Sequence, residues 1–345
     1  MAKEKINVCL FITVYSFFLY LLMKGYDETD IYIFADIFPK EISKNVKHIQ
    51  LPEVSFVDGP KMAPLDSING IIENIKGYCR YFYGYIKLRI LLFIKTFNKE
   101  VTVYGHAQSP FSFMFYENEN SNLIEDGIAN YCMEITETHK INPIIDTFLH
   151  ICGVYFLKNT EAFGSHKNIK NIYLTYNVDH PLIKDKVRII NMQELWDNLS
   201  DSQKKDILNI FNIGDAVYDF EGETLLILTQ PLSQEGHLTL DDEINIYQKT
   251  IEKYKDYKLI IKPHPRDDKD YKKIFPQSTI IEKTFPIEIL SLIGIKPTVV
   301  SSIVSASALA FKDSEIYIYD GDLNNERLDN IRKDLLNLIE NTKKD

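Results

Sequence analysis

Leu259-Ile260-Ile261-Lys262-Pro263-His264-Pro265-Arg266 is an apolar run that stops abruptly at two prolines. Each proline removes a backbone donor and fixes φ, so a strand over Leu259–Lys262 has to end there, with His264 at its carboxyl end. Similar short runs, rich in β-branched and aromatic residues, recur on both sides. Downstream of residue 220, Thr224–Thr229, Thr279–Ile281, Thr298–Val300 and Ile316–Tyr319 read as further strands. Helical patterns lie at about Asp242–Tyr254, Pro286–Ile293 and Ser305–Phe311, and Leu323–Lys344 closes the chain as an amphipathic helix. Upstream, Val8–Val14, Ile31–Phe34, Val101–Tyr104, Leu123–Ile124 and Asn171–Thr175 read as strands, and Met192–Asn212 as one or two helices. Strands alternating with helices predict an α/β protein built on parallel sheets, which bind ligands beyond the carboxyl ends of their strands.

The length of 345 residues favours two domains. The pattern loosens between Thr136 and Asn171, so the boundary is placed there, giving one Rossmann-like domain over 1–165 and another over 166–345 that face a central cleft. The stretch Ile71–Ile94 reads as a long helix dense in Tyr, Phe and Leu. Burial of those side chains is expected, with a partner or membrane surface as the alternative. Ile6–Met23 is apolar and flanked by lysines, close to the ~20 residues that a membrane span needs. Asn7, Thr13 and Ser16 interrupt it, and a buried strand followed by a helix over Tyr15–Lys24, stopped at Gly25, accounts for it better.

Composition removes several classes of function. With 39 basic and 49 acidic residues the net charge is −10, so the chain lacks the basic footprint of a nucleic-acid binder. The four cysteines, Cys9, Cys79, Cys132 and Cys152, form no C-x-x-C pair, which suggests neither a zinc site nor a disulfide framework and fits a reducing cytoplasm. No G-x-G-x-x-G follows a candidate strand and no Walker A sequence occurs, which demotes nicotinamide and P-loop chemistry.

Three stretches can carry chemistry. In K-P-H-P-R, His264 is placed to act as a general acid near neutral pH, and Arg266 offers a planar fork for a phosphate. The alternative is a plain turn in which Arg266 pairs with Asp267 or Asp268. In Leu123-Ile124-Glu125-Asp126-Gly127, extended backbone sends Glu125 and Asp126 to opposite sides, so one carboxylate can take a proton from an acceptor hydroxyl, unless the Asp-Gly pair is only a turn. Thr298-Val299-Val300-Ser301-Ser302-Ile303-Val304-Ser305 brings hydroxyls to a strand-to-helix junction suited to phosphate, or simply supplies a helix cap. Asp320-Gly321-Asp322 has the form of a metal-binding Asp-x-Asp, but its place after the last strand reads as a turn.

The order E-D-G, K-P-H-P, S-S resembles the bacterial sialyltransferases of the GT-B fold, with their (D/E)(D/E)G, HP and serine motifs. The resemblance is strongest to glycosyltransferase family 52, the lipooligosaccharide and capsule sialyltransferases, in the HPR form and in Leu228-Thr229-Gln230-Pro231-Leu232. It implies inverting, metal-independent transfer from CMP-sialic acid to a hydroxyl of a terminal galactose or related sugar, with no cofactor. His264 would stabilise or protonate the departing CMP, while Arg266, Ser301 and Ser302 hold it. Asp126 or Glu125 would be the base. The family also attributes that role to an aspartate shortly before the HP strand, where Asp241 and Asp242 stand, Asp241 being alternatively a helix N-cap. Lys262, Gly127 and Thr13 complete the expected substrate-binding set. Tyr15 and Ser16 beside Thr13, and Gly105, His106 and Ser109 after Val101–Tyr104, would face the cleft, and Pro231–His237 would form a loop on the nucleotide side. The expected partners are a nucleotide sugar and a lipid-linked glycan. The expected setting is cytoplasmic and peripheral to the inner membrane, with a homodimer as a further option. A hexosyltransferase using a nucleoside diphosphate sugar and a non-catalytic glycan-binding protein are the competing readings.

Overall fold

A computed structural model of the chain describes residues 3–51, 68–107, 111–127, 129–132, 164–178, 180–213 and 220–342. The chain forms two compact units, Met1–Asp126 with Met133–Ile207, and Gly127–Cys132 with Leu208–Asp345. Each is built on a parallel sheet flanked by helices, as the alternation of patterns predicts.

The first sheet contains β1 (Lys5–Phe11), β2 (Ile31–Phe34), β3 (His48–Gln50), β4 (Glu100–Gly105), β5 (Ser121–Ile124), β6 (Ile169–Leu174) and β7 (Val187–Ile189), in the order β3-β2-β1-β4-β5-β6-β7. The apolar N-terminal stretch is resolved as expected. β1 is buried along most of its length, Thr13 caps the helix Val14–Lys24, and the Gly25 N–H closes its end on the Leu21 carbonyl at 2.8 Å. Phe17 and Tyr20 on this helix pack against Phe11 at ring separations of 5.2 and 5.5 Å, so the stretch is the core of the first unit. No helix among the described residues is long and apolar enough to cross a membrane.

Two expectations change here. β6 pairs with β5 and β7 with β6, so residues 169–189 belong to the first sheet, and the first unit runs on to Ile207 rather than ending at 165. The long helix, Ile68–Thr96, buries Tyr85, Leu88 and Leu92 but leaves a second row of apolar side chains exposed.

The second sheet contains β8 (Thr224–Leu228), β9 (Lys258–Lys262), β10 (Thr279–Ile280), β11 (Val299–Ser302) and β12 (Glu315–Ile318), in the order β10-β9-β8-β11-β12. Leu225, Ile227, Ile261 and Val299 from three neighbouring strands form its core with Ile246 and Tyr247 of the helix Leu240–Lys253. The helical pattern at Ser305–Phe311 is a short 3-10 helix, Ala306–Ala310, without a side-chain cap, because Ser302 and Ser305 bond to each other instead. The short helix Ala129–Cys132 packs against the closing helix Glu326–Thr342, which places it in this unit.

Gly105 shows how tightly the first sheet is built. Its φ is +122°, and a Cβ there would lie 1.9 Å from the Leu10 carbonyl oxygen of the paired strand β1. Backbone cannot yield as a flexible side chain would. Gly105→Ala is therefore expected to cost more than about 3 kcal/mol in a urea melt, combining left-handed strain with overpacking. A loss below ~1 kcal/mol would contradict this packing.

Candidate active site

In the first sheet the strand order reverses between β1 and β4, and such a switch point opens a crevice beyond the carboxyl ends of the strands. The residues after β1, β4 and β5 meet there. Thr13 accepts the Ser16 N–H at 3.2 Å in its role as cap and donates its hydroxyl to Asp126 Oδ1 at 2.7 Å. His106, carried past the close approach at Gly105, brings Nε2 to 3.6 Å from Asp126 Oδ2. Both side chains keep limited access to solvent, at 10% and 18% exposure, which a group exchanging protons with a ligand requires.

Glu125 and Asp126 diverge as extended backbone dictates. Glu125 is buried and its carboxylate accepts the Thr175 N–H at 2.6 Å and the Thr175 hydroxyl at 2.7 Å, tying β5 to the end of β6. Gly127 has φ +127° with open space around the position of a Cβ, so glycine serves the backbone conformation there and not a close contact. Ser109 lies outside the described residues.

In the second sheet the order reverses at β8, between β9 and β11. β9 ends at Lys262, and the prolines turn the chain so that His264 sits half-buried beyond it. The His264 N–H donates to Thr229 Oγ1 at 3.2 Å, and Thr229 donates to Asp267 Oδ2 at 2.9 Å. Tyr271 donates to the same oxygen at 2.8 Å, and the Asp267 N–H closes the turn on the His264 carbonyl at 2.9 Å. The Arg266 N–H donates to His264 Nδ1 at 3.1 Å, which assigns the proton of the neutral ring to Nε2. Burial, then the Arg266 and Lys262 charges, push the imidazole down to about 3. At neutral pH it is an uncharged donor set in a positive field.

The other expected residues fall into place around it. Lys262 is buried, and its ammonium donates to the Pro263 and Lys283 carbonyls at 3.1 and 2.9 Å, so it acts on this end of the sheet through its charge. Burial lowers it to about 7, with Glu288 and Glu282 opposing. Arg266 pairs with Glu235 at 2.8 Å, and not with Asp267 or Asp268, which couples it to the expected nucleotide-side loop. Ser301 and Ser302 end β11, and Ser302 pairs in register with Leu228, next to Thr229. Asp242 stands in the exposed first turn of Leu240–Lys253. The cap of that helix is Thr239, not Asp241: Thr239 accepts the Asp242 N–H at 3.1 Å and donates its hydroxyl to the Asp242 carboxylate at 2.6 Å. In Asp320-Gly321-Asp322, Arg332 holds the Gly321 carbonyl, Asp320 accepts from Tyr317 and Asp322 from the Asn324 N–H, as in a turn.

Sequence reasoning gave no role to Thr229 beneath His264, to Tyr271 or to Glu235, considered Asp267 only as an alternative partner of Arg266, and placed His106 at the cleft without a role. Threonine one place beyond the end of an apolar strand, in the L-T-Q-P-L stretch, was the signal available for the first of these.

The family model of glycosyltransferase family 52 matches residues 72–322. An uncharacterized protein of Haemophilus influenzae is 32% identical over 223 residues, covering 64% of this chain and 69% of that protein. Among solved structures, a 2,6-sialyltransferase of a Photobacterium species, in complex with CMP and lactose, superposes with a TM-score of 0.57 at 14% identity, over 97% of this chain and 76% of that one. The GT-B domain of a Photobacterium damselae sialyltransferase gives 0.54 at 14% identity over 97% of both chains. The α2,3-sialyltransferase of Photobacterium phosphoreum gives 0.52 at 12% identity over 96% of both. At these identities the likeness shows the fold: two Rossmann-like units of the GT-B type.

Proposed function

Because the chain belongs to glycosyltransferase family 52, we propose that it is an inverting sialyltransferase, moving sialic acid from CMP-sialic acid to a hydroxyl of a terminal galactose or related sugar on a capsular or lipooligosaccharide glycan. The observation that carries this reading is His264. It is a neutral imidazole whose tautomer is fixed by a backbone donor, with Nε2–H as its proton, beside Arg266 and above the charge of Lys262. A leaving phosphate needs such a site, because negative charge grows on it as the bond to sugar breaks.

In this mechanism the acceptor oxygen attacks the anomeric carbon of sialic acid while its proton passes to Asp126. The bond from that carbon to the phosphate oxygen breaks, and its electron pair leaves on CMP, whose phosphate departs as the anion while accepting a hydrogen bond from His264 Nε2–H. Arg266 exchanges its Glu235 partner for the phosphate, and Ser301 and Ser302 lie at the carboxyl end of the neighbouring strand. In this proposed metal-independent mechanism the positive charge of Arg266, joined by that of Lys262 when the bound phosphate keeps it protonated, does the work a divalent cation does elsewhere. Glu125 and Thr175 hold the β5 end that carries Asp126.

The test is release of CMP from CMP-sialic acid in the presence of a galactoside and a chelator. Acceptor-dependent release is expected. Release of a nucleoside diphosphate from a hexose donor instead would replace the donor assignment. Tight binding of CMP-sialic acid without turnover over a panel of galactosides would make the chain a binding protein.

A further inference from the structure

Behind the K-P-H-P-R turn lie three charges that the transfer does not use. Glu243, on the helix Leu240–Lys253, and Asp267 are fully buried, and the Lys269 side chain is 7% exposed. The Lys269 ammonium donates to Asp267 Oδ1 at 3.0 Å and lies 3.1 Å from Glu243 Oε1. Asp267 belongs to the turn, where it holds Thr229 and Tyr271 and, through Thr229, the His264 main chain. Glu243 serves the other side: its second oxygen accepts the Ser233 N–H at 2.8 Å, inside the loop Pro231–His237. Lys269 therefore joins the turn that carries Arg266 to the loop that carries Glu235.

The loop closes on itself by short-range bonds, from the Glu235, Gly236 and His237 N–H groups to the Pro231, Ser233 and Leu232 carbonyls. Asn325 holds its far end at the His237 carbonyl. Its contacts with the turn, Glu235 to Arg266 and Gln234 to the Asp268 N–H, are open to solvent, where polar pairs hold little. The bond from Ser233 ends instead on a fully buried carboxylate, and it fixes where the loop stands. Stability alone does not call for ions here, because desolvating charge is costly and apolar residues of similar volume pack as well or better. An ion pair with a hydrogen bond at each end supplies direction, which apolar packing does not.

We propose that Glu243 and Lys269 are positioning residues, which set the loop Pro231–His237 against the His264 turn and so shape the site for the donor. The proposal rests on the transfer reading for the identity of that donor, CMP-sialic acid. In Glu243→Gln the amide has one acceptor and one donor, so its NH2 faces either the Ser233 N–H or the Lys269 ammonium, and one contact is lost. The Lys269–Asp267 pair stays balanced, and the variant should fold. Glu243→Met with Lys269→Met replaces both charges by side chains of similar length and should melt near wild type. In both variants the loop amides of the full chain are expected to exchange hydrogen at least about tenfold faster than in wild type. The KM for donor and the Kd for CMP should rise at least about fivefold, with kcat within about twofold because Asp267, Thr229 and Tyr271 still hold the His264 turn. A merely structural role predicts a normal melt and a normal KM for the methionine pair. That result, or unchanged loop exchange, or a fall in kcat at constant KM, would overturn the proposal. If Glu243→Gln fails to fold, the methionine pair decides. Exchange in the free chain needs no donor, so it judges the loop even where wild type fails to turn over CMP-sialic acid, an outcome that counts against the transfer reading instead.

Discussion

His264→Ala is expected to slow sialyl transfer by about 10²–10³-fold in kcat, the range for losing one preorganised hydrogen-bond donor to developing negative charge, with little change in the KM for donor. The main-chain part of the turn, His264 to Thr229 and Asp267, survives the substitution, so the variant should fold. A second readout isolates the phosphate. In the free chain burial and the Arg266 and Lys262 charges hold the imidazole at about 3. A bound phosphate offsets those charges, so titration of labelled histidine by NMR should move upward toward the ordinary range when CMP is added. No movement with CMP bound would place the phosphate elsewhere. The same depression fixes a stability slope. Above the ordinary histidine value of ~6.5 both folded and unfolded states are neutral, and no penalty exists. As pH falls from there toward 3 the unfolded chain takes the proton and the folded one does not, so His264 makes the protein less stable with acid through that window. Urea melts of wild type and His264→Ala should therefore converge or cross as pH falls. Parallel curves would show that the ring is not held neutral.

How much of this was legible in the sequence depends on how local each signal is. His264 was readable because both prolines that stop β9 are its neighbours, and Asp126 because strand alternation alone separates it from Glu125. Thr13 was readable as the residue between a buried strand and a helix. The partners that complete these sites lie far along the chain. His106 reaches Asp126 only because β4 and β5 pair, and Arg266 finds Glu235 across the turn after β8. β3 and β7 were missed because three residues at a sheet edge carry no apolar run. The domain boundary was placed early because a strand's composition states that it is a strand and not which sheet it joins: Ile169–Leu174 pairs with β5. The long helix misled for a related reason. Its apolar residues cover opposite faces, and periodicity does not say which face meets the core.

The assignment of the base is where sequence and structure leave the clearest choice between two carboxylates. Asp126 has the surroundings of a working base: a hydroxyl from Thr13 orients one oxygen, and His106 approaches the other. Asp242 has those of a helix-capping residue, exposed and engaged with Thr239. Asp126→Asn keeps the shape and the Thr13 contact but removes the proton acceptor, and it is expected to lower kcat by about 10²–10⁴-fold. Thr13→Val should cost less, since it frees the carboxylate to turn without deleting it, and Thr13→Ser should recover most of that loss. Asp242→Asn should leave kcat near wild type and cost at most ~1 kcal/mol in the helix cap. Collapse of activity in Asp242→Asn beside a near-normal Asp126→Asn, both folded, would move proton abstraction to the first turn of Leu240–Lys253. The carboxylate after β5 would then be a residue that positions the end of its strand.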